Sequence, residues 1–225
     1  MRFIAVALVA FATSCSVAGT SALTASPTSS STPTASASPP RAATLSDVVH
    51  AGASATYRIS YIYRVSANGQ TQTLESTWYV RPPEMRWDFA SPLGGSSSFF
   101  VLKAGVYVCS ASGQPTPSCF SLGSVAAAEQ SSGVQVQDLI RDHPERFTAT
   151  PIASRVVAGV LGQCFDVADV SAQYGQGTLC YSADGLPLFV ALKNSSGDFS
   201  MEATSVSPTV TDADLTLPGP VRTVP

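Results

Sequence analysis

Five cysteines and two histidines are the side chains of this 225-residue chain best suited to covalent or metal chemistry. Cys109 and Cys119 flank SASGQPTPS, and Cys164 and Cys180 flank a stretch containing QYGQGT; both segments are rich in turn residues. Four cysteines allow three pairings. The local one, Cys109–Cys119 with Cys164–Cys180, fits two staples between neighbouring strands, each contributing about 2–4 kcal/mol. A zinc site is the competing use and wants a C-x₂₋₄-C pair, which does not occur. Disulfides, and with them an oxidising compartment, are the expectation. An odd cysteine, Cys15, remains at the end of an apolar run.

The histidines complete no catalytic set. His50 falls in the first helix and His143 in RDHPERF, a charged helix end, so both read as structural or solvated side chains. No G-x-S-x-G elbow, H-E-x-x-H, P-loop or G-x-G-x-x-G is present. Asp212-Ala-Asp214 lacks the further ligands and central glycine of an EF-hand loop. Asp166 and Asp169 have no second carboxylate cluster to pair with. The expectation is a protein that is not an enzyme, with no catalytic residues, no cofactor and no metal.

The N-terminus supplies a different chemistry. Arg2 is followed by ten apolar residues, Phe3 to Ala12, then Thr13, Ser14 and Cys15. A run of that length is too short for a spanning helix, which takes about 20 residues, and suits a signal-peptide core. ATSC resembles a bacterial lipobox, with Ala12 where leucine is usual. That reading makes residues 1–14 a signal peptide and Cys15 the lipidated N-terminus; the alternative is a secretory signal cut elsewhere with Cys15 discarded. Each buried CH₂ contributes about 0.8 kcal/mol, so two or three acyl chains hold a protein on a membrane where one barely does. Residues 15–43 continue as a Ser/Thr/Ala/Pro tract, too poor in apolar surface to fold and extended by its prolines, as a tether would be.

Residues 44–225 form one domain's worth of chain. Only 12% of all residues are charged and the net charge is −3, against about 25% charged residues in ordinary soluble domains. No basic stretch occurs, which argues against a nucleic-acid partner.

Thr44-Leu-Ser-Asp47 reads as a helix start with a capping box, its apolar face made by Leu45, Val48 and Val49 and its length limited by Gly52. The period then becomes two. Tyr57, Ile59, Tyr61, Tyr63 and Val65 fall on one face of a strand, Asn68-Gly69 signals a hairpin, and Leu74, Trp78 and Val80 return. Pro82-Pro83 interrupts before Met85, Trp87 and Phe89 alternate again. SSFFVLK, GVYVCS and CFSLGS continue the pattern. Residues 124–147 lose it and read as short helices, SVAAAEQ and VQVQDLIRDHPERF. Strands resume at about residue 155 with RVVAGVLG, QCFDVADV, GTLCYS, LPLFVALK and DFSMEATSV. About five strands, a helical interruption and about five more strands define an α+β fold, or a curved antiparallel sheet with a helical cover.

The apolar strand faces carry the positive signal. Tyr57, Ile59, Tyr61, Tyr63, Trp78, Met85, Trp87, Phe89 and Phe99 are concentrated in the first half. They are either a plain hydrophobic core or the wall of a ligand cavity, since such cavities are mostly apolar; alternation alone does not separate the two.

Four segments together resemble the LolA/LolB and LppX/LprG superfamily of bacterial envelope proteins. They are TLSDVVHAGASATYRISYIY, WYVRPPEMRWDF, QCFDVADV with GTLCYSADGLPLFVAL, and the closing DADLTLP. The resemblance spans about residues 44–218. It implies a strongly curved, unclosed β-barrel with short helices as plug or lid, anchored on the outer face of the bacterial cell membrane. It also implies a lipid or acylated ligand in a sizeable apolar cavity between sheet and helices, with residues 124–147 as a movable lid. The same superfamily includes RseB-like sensors, so a protein partner without a transported ligand is the alternative.

Overall fold

The computed structural model describes residues 43–67, 69–90, 95–111, 116–124, 136–171, 175–195 and 197–222. The signal peptide, Cys15, the tether up to residue 42, Asn68 and the rest of SVAAAEQ after Ser124 lie outside them.

Helix α1 (Leu45–Gly52) starts where the capping box places it. The Asp47 backbone N–H donates to Thr44 Oγ1 at 3.2 Å, and the Thr44 backbone N–H donates back to Asp47 Oδ2 at 2.8 Å. Two of the helix's orphan donors are thus satisfied reciprocally, and Leu45, Val48 and Val49 are buried. Six strands follow: β1 (Tyr57–Ala67), β2 (Gln70–Arg81), β3 (Glu84–Ala90), β4 (Ser96–Leu102), β5 (Gly105–Ser110) and β6 (Ser118–Gly123). Helix α2 (Val136–Asp142) precedes β7 (Phe147–Val157), β8 (Val160–Asp169), β9 (Gln176–Tyr181), β10 (Pro187–Asn194) and β11 (Gly197–Ser207), and β12 (Val221–Arg222) ends the described chain.

All twelve strands form one curved sheet in the order β12-β6-β5-β4-β3-β2-β1-β11-β10-β9-β8-β7. Two antiparallel meanders therefore join where β1 pairs with β11, and among the described strands only the short β12–β6 pair is parallel. Its edges, β12 and β7, do not pair with each other, so the barrel is unclosed. The architecture is α+β, as the alternation and the resemblance implied.

Two strand boundaries differ from the sequence reading. RVVAGVLG is not one strand: it contains the end of β7, a turn at Ala158–Gly159 and the start of β8. Both turn residues have positive φ, 50° and 78°, the geometry of a two-residue hairpin turn, but Ala-Gly lacks the Asn-Gly or Asp-Gly signature. Strand β7 also starts earlier, at Phe147, and contains Pro151. Proline demotes a strand reading, yet an edge strand accommodates it.

One face of the sheet carries the helices. Ile59, Tyr61, Leu179, Tyr181 and Leu188 are essentially inaccessible beneath them. Gly52 and Gly185 set how closely α1 approaches the β9–β10 turn. A Cβ on Gly52 would collide with the Gly185 carbonyl, and one on Gly185 with the Gly52 nitrogen and the Val48 carbonyl. The opposite, outer face has its own small cluster of Phe100, Cys109 and Cys119, against which Leu217 packs. The C-terminal segment is held there by Arg81, whose guanidinium is 2.6 Å from Asp212, and by Arg86, which donates to the Asp214 carbonyl at 3.1 Å.

Candidate functional site

The register puts the nine aromatic and apolar candidates on one face. Tyr57, Ile59 and Tyr61 stand opposite Val80, Trp78 and Ser76 on β2, and Tyr63 opposite Leu74. Met85, Trp87 and Phe89 continue the same rows on β3, and Phe99 on β4. Phe100 points the other way.

These residues divide in two. Tyr57, Ile59, Tyr61 and Trp78 are buried in the core under α1, where Tyr61 donates to the Pro187 carbonyl at 2.8 Å. Tyr63 and Trp87 are half-buried against that core. Met85, Phe89 and Phe99 are half-buried farther along the face. An aromatic chain links the two groups, with ring centroids 5.4 Å apart for Tyr61–Trp78, 6.3 Å for Trp78–Trp87 and 5.2 Å for Trp87–Phe89. The Trp87 indole N–H donates to the buried Ser76 hydroxyl at 2.6 Å, which fixes the ring halfway along this chain.

The sequence reading expected a sizeable apolar cavity beneath a movable lid. The described residues form a partly open cavity of about 160 Å³ between α1, α2 and the sheet, lined by Tyr57, Trp78, Val80, Met85 and Tyr181, with Gln137, Asp138 and Arg141 of α2 at its side. That is about the size of an engineered cavity that takes one benzene and below the roughly 300–1,000 Å³ of usual ligand pockets. Helix α2 is seated rather than loose, with Leu139 and Ile140 buried. Most of the expected space is core.

Two features beside the cavity were not read from the sequence. Tyr181, in GTLCYS, reaches it from the second meander. Trp78 Nε1 and Tyr181 Oη are both buried and without a hydrogen-bond partner among the described residues, as is the nearby Tyr63 Oη. Burial raises the Tyr181 phenol above its ordinary pKa, and the Tyr57 phenol likewise, with Asp138 adding to the effect there. These hydroxyls stay protonated and able to donate at any physiological pH.

The outer face holds a wider groove of about 520 Å³, also not foreseen, lined by Ser60, Thr77, Ser98 and Thr204 with Glu75, Arg86 and Asp88. Its hydroxyls partly satisfy one another, with Ser60 and Thr77 3.1 Å apart. Arg86 is paired with Asp88 at 2.7 Å and lies over the Phe100 ring.

Both disulfides are formed in the local pairing, between residues facing each other on adjacent strands, with Cα separations of 4.0 and 4.1 Å. His50 Nδ1 lies 2.8 Å from the Ser46 carbonyl, and His143 Nδ1 lies 3.4 Å from Glu145. Asp212 precedes a single 3₁₀ turn, Ala213–Leu215, that contains Asp214, and Asp214 accepts from the Thr211 backbone and hydroxyl. Asp166 accepts from the Thr178 hydroxyl and Asp169 pairs with Arg146. No helix among the described residues is long and apolar enough to cross a membrane.

No protein-family model matches the chain. No curated protein matches it. Solved structures do. The chain is similar to MucB in its complex with MucA(peri), at 15% identity and a TM-score of 0.47, over 75% of this chain and 56% of that one. It is similar to the Mycobacterium tuberculosis lipoprotein LppX, at 9% identity and 0.46, over 74% and 97%. It is also similar to a LolA superfamily protein from Nitrosomonas europaea, at 10% and 0.34, over 78% and 98%. The chain spans just over half the length of the MucB chain. At these scores and identities the likeness speaks of fold alone. The chain itself has an unclosed antiparallel sheet with short helices.

Proposed function

We propose that this chain is an exported lipoprotein, anchored through Cys15 to the outer face of a bacterial cell membrane, that holds a lipid or other hydrophobic ligand against the helix-bearing face of its sheet. The observation that carries the reading is the apolar wall of β3–β5. Met85, Trp87, Phe89, Phe99, Val101 and Val108 stay only half-buried, with Val106 beneath them fully buried, on the face whose other half is mostly buried. Covering each 100 Å² of such surface contributes about 2.5 kcal/mol. The ligand lies along this wall rather than in a deep pocket, since the cavity under the helices is only about 160 Å³. The reading needs no cofactor, metal or catalytic group.

Displacement of a fluorescent fatty acyl probe from the full chain tests it. Phe99→Asp places a charge on the wall without touching the buried core, and the account expects probe affinity to fall at least about tenfold, the effect of losing one buried aromatic contact. Unchanged affinity, or no binding by the unaltered chain, would count against it.

A second reading, an envelope signalling or interaction protein, is favoured by a different surface. Val156 and Leu161 face each other across β7 and β8 with 64% and 63% of their surface exposed, at the open edge of the sheet. Pro151 in the same edge strand removes one backbone donor, which limits strand addition there. An acyl-binding result separates the two readings.

A further inference from the structure

One row of side chains crosses the sheet from its core to its edge. Trp78, Trp87, Phe99, Val108, Phe120 and Arg222 stand opposite one another in turn, from β2 to β12. Residues paired across strands share a face. Burial falls along the row: Trp78 is 7% exposed, Trp87, Phe99 and Val108 are half-buried, Phe120 is 37% exposed and Arg222 is open to solvent. The register fixes which way Arg222 points. Its neighbour Val221 pairs with Cys119, which is buried in the outer cluster, so Arg222, beside Phe120, projects on the helix-bearing side.

Arg222 makes no ion pair among the described residues. Strands β4, β5 and β6 contain no charged residue. The acids of β3, Glu84 and Asp88, alternate with Met85, Trp87 and Phe89 and so face the outer side with Arg86. An apolar row that ends in an unbalanced guanidinium matches a molecule built the same way. The geometry points to an anionic amphiphile as the ligand of this wall, its hydrocarbon chain laid across β3–β6 and its phosphate or carboxylate head at Arg222. This rests on the lipid reading and deepens it. From β3 to β12 is four strand spacings, about 19 Å at about 4.8 Å each, the reach of a long acyl chain with its head. A guanidinium meets phosphate or carboxylate oxygens with paired N–H donors. At the sheet's edge the head keeps its contact with water, whereas a charged head placed toward Trp78 would lose it at high cost. The chain tip therefore lies toward Trp87. A neutral amphiphile gains the apolar contact alone, and a cationic one is repelled.

The full chain, exported so that both disulfides form and carrying Cys15→Ser so that no acyl group of its own lies on the wall, is titrated with dodecyl phosphate and with dodecyl maltoside, both below micelle formation. The two share a chain and differ in head charge. Tryptophan fluorescence reports binding, because Trp87 is in the row. The expected result is an affinity for dodecyl phosphate about threefold to tenfold above that for dodecyl maltoside, a gap that narrows as salt rises. Arg222→Gln removes the preference and leaves maltoside binding unchanged, while Arg222→Lys keeps the charge and retains part of it. Inorganic phosphate at the same concentrations gives no response. Equal affinity for the two amphiphiles, or a preference that survives Arg222→Gln, overturns the head site and leaves the lipid reading standing. Inorganic phosphate competing as well as dodecyl phosphate means that the anion is held without its chain, which also overturns the proposal. Failure of both amphiphiles to bind overturns it together with the lipid reading.

Discussion

The two meanders of this sheet obey the same alternation and end in different states. In β8–β11 the helix-facing residues Phe165, Leu179, Leu188, Val190 and Met201 are almost completely buried. In β3–β5 their counterparts Met85, Phe89, Phe99 and Val108 are half-buried, and only Val106 is fully covered. Period-two hydrophobicity thus specifies which way a side chain points and not what lies over it. The second meander is a finished core because α1 sits on it, held close by the Gly52–Gly185 contact. The first offers a surface, and function is sought there.

Truncation in the buried half should have the largest effect. Leu188→Ala is expected to cost about 2–5 kcal/mol, against about 1 kcal/mol or less for Val108→Ala on the wall; chemical denaturation of the two variants measures both. Equal losses would mean that the two halves do not differ. Opening the Cys164–Cys180 bridge with a double alanine variant should remove about 2–4 kcal/mol, as should opening Cys109–Cys119, because each meander carries one cross-strand staple. Gly185→Ala is next, at about 1–3 kcal/mol. Its φ is +77° and its new Cβ would push α1 off the β9–β10 turn, which thermal denaturation would register.

Much of this contrast was invisible in the sequence, for reasons that can be named. Thr44 and Asp47 announced α1 because a capping box is local chemistry. The strands from Tyr57 to Ser110 were legible because their alternation is clean, and the local cysteine pairing because both pairs sit across neighbouring strands. The β7–β8 hairpin was hidden by Ala158–Gly159, whose positive φ values no asparagine or aspartate advertised, and β7 by Pro151. Strand β12 is two residues long and follows from the packing of Leu217 and Gly219 rather than from any pattern. All nine apolar site candidates share one face, but the division into core and wall depends on where α1 and α2 land. Tyr181 was passed over because one tyrosine among alternating residues carries no signal of an unpartnered hydroxyl.

Two smaller effects sharpen the comparison. Tyr181→Phe should leave stability unchanged or raise it by about 1 kcal/mol, because it removes a buried hydroxyl without a partner; a clear loss on thermal denaturation would reveal a partner for that group. Asp214 bears on the outer face. Its carboxyl pKa is lowered by the hydrogen bonds from the Thr211 backbone and side chain. A lowered folded-state value means that its small stabilisation is present above the ordinary aspartate range and fades as pH falls through the depressed value. Asp214→Asn should therefore flatten the acid limb of the stability curve slightly.

Native mass spectrometry of the full chain, exported so that both disulfides form and isolated from its own envelope, tests the central claim most directly. The account predicts a discrete extra mass, beyond the acyl groups on Cys15, that leaves on organic extraction. A bare protein mass, unchanged after incubation with the host's membrane lipids, would contradict it and move the wall of β3–β5 from ligand binding to protein contact.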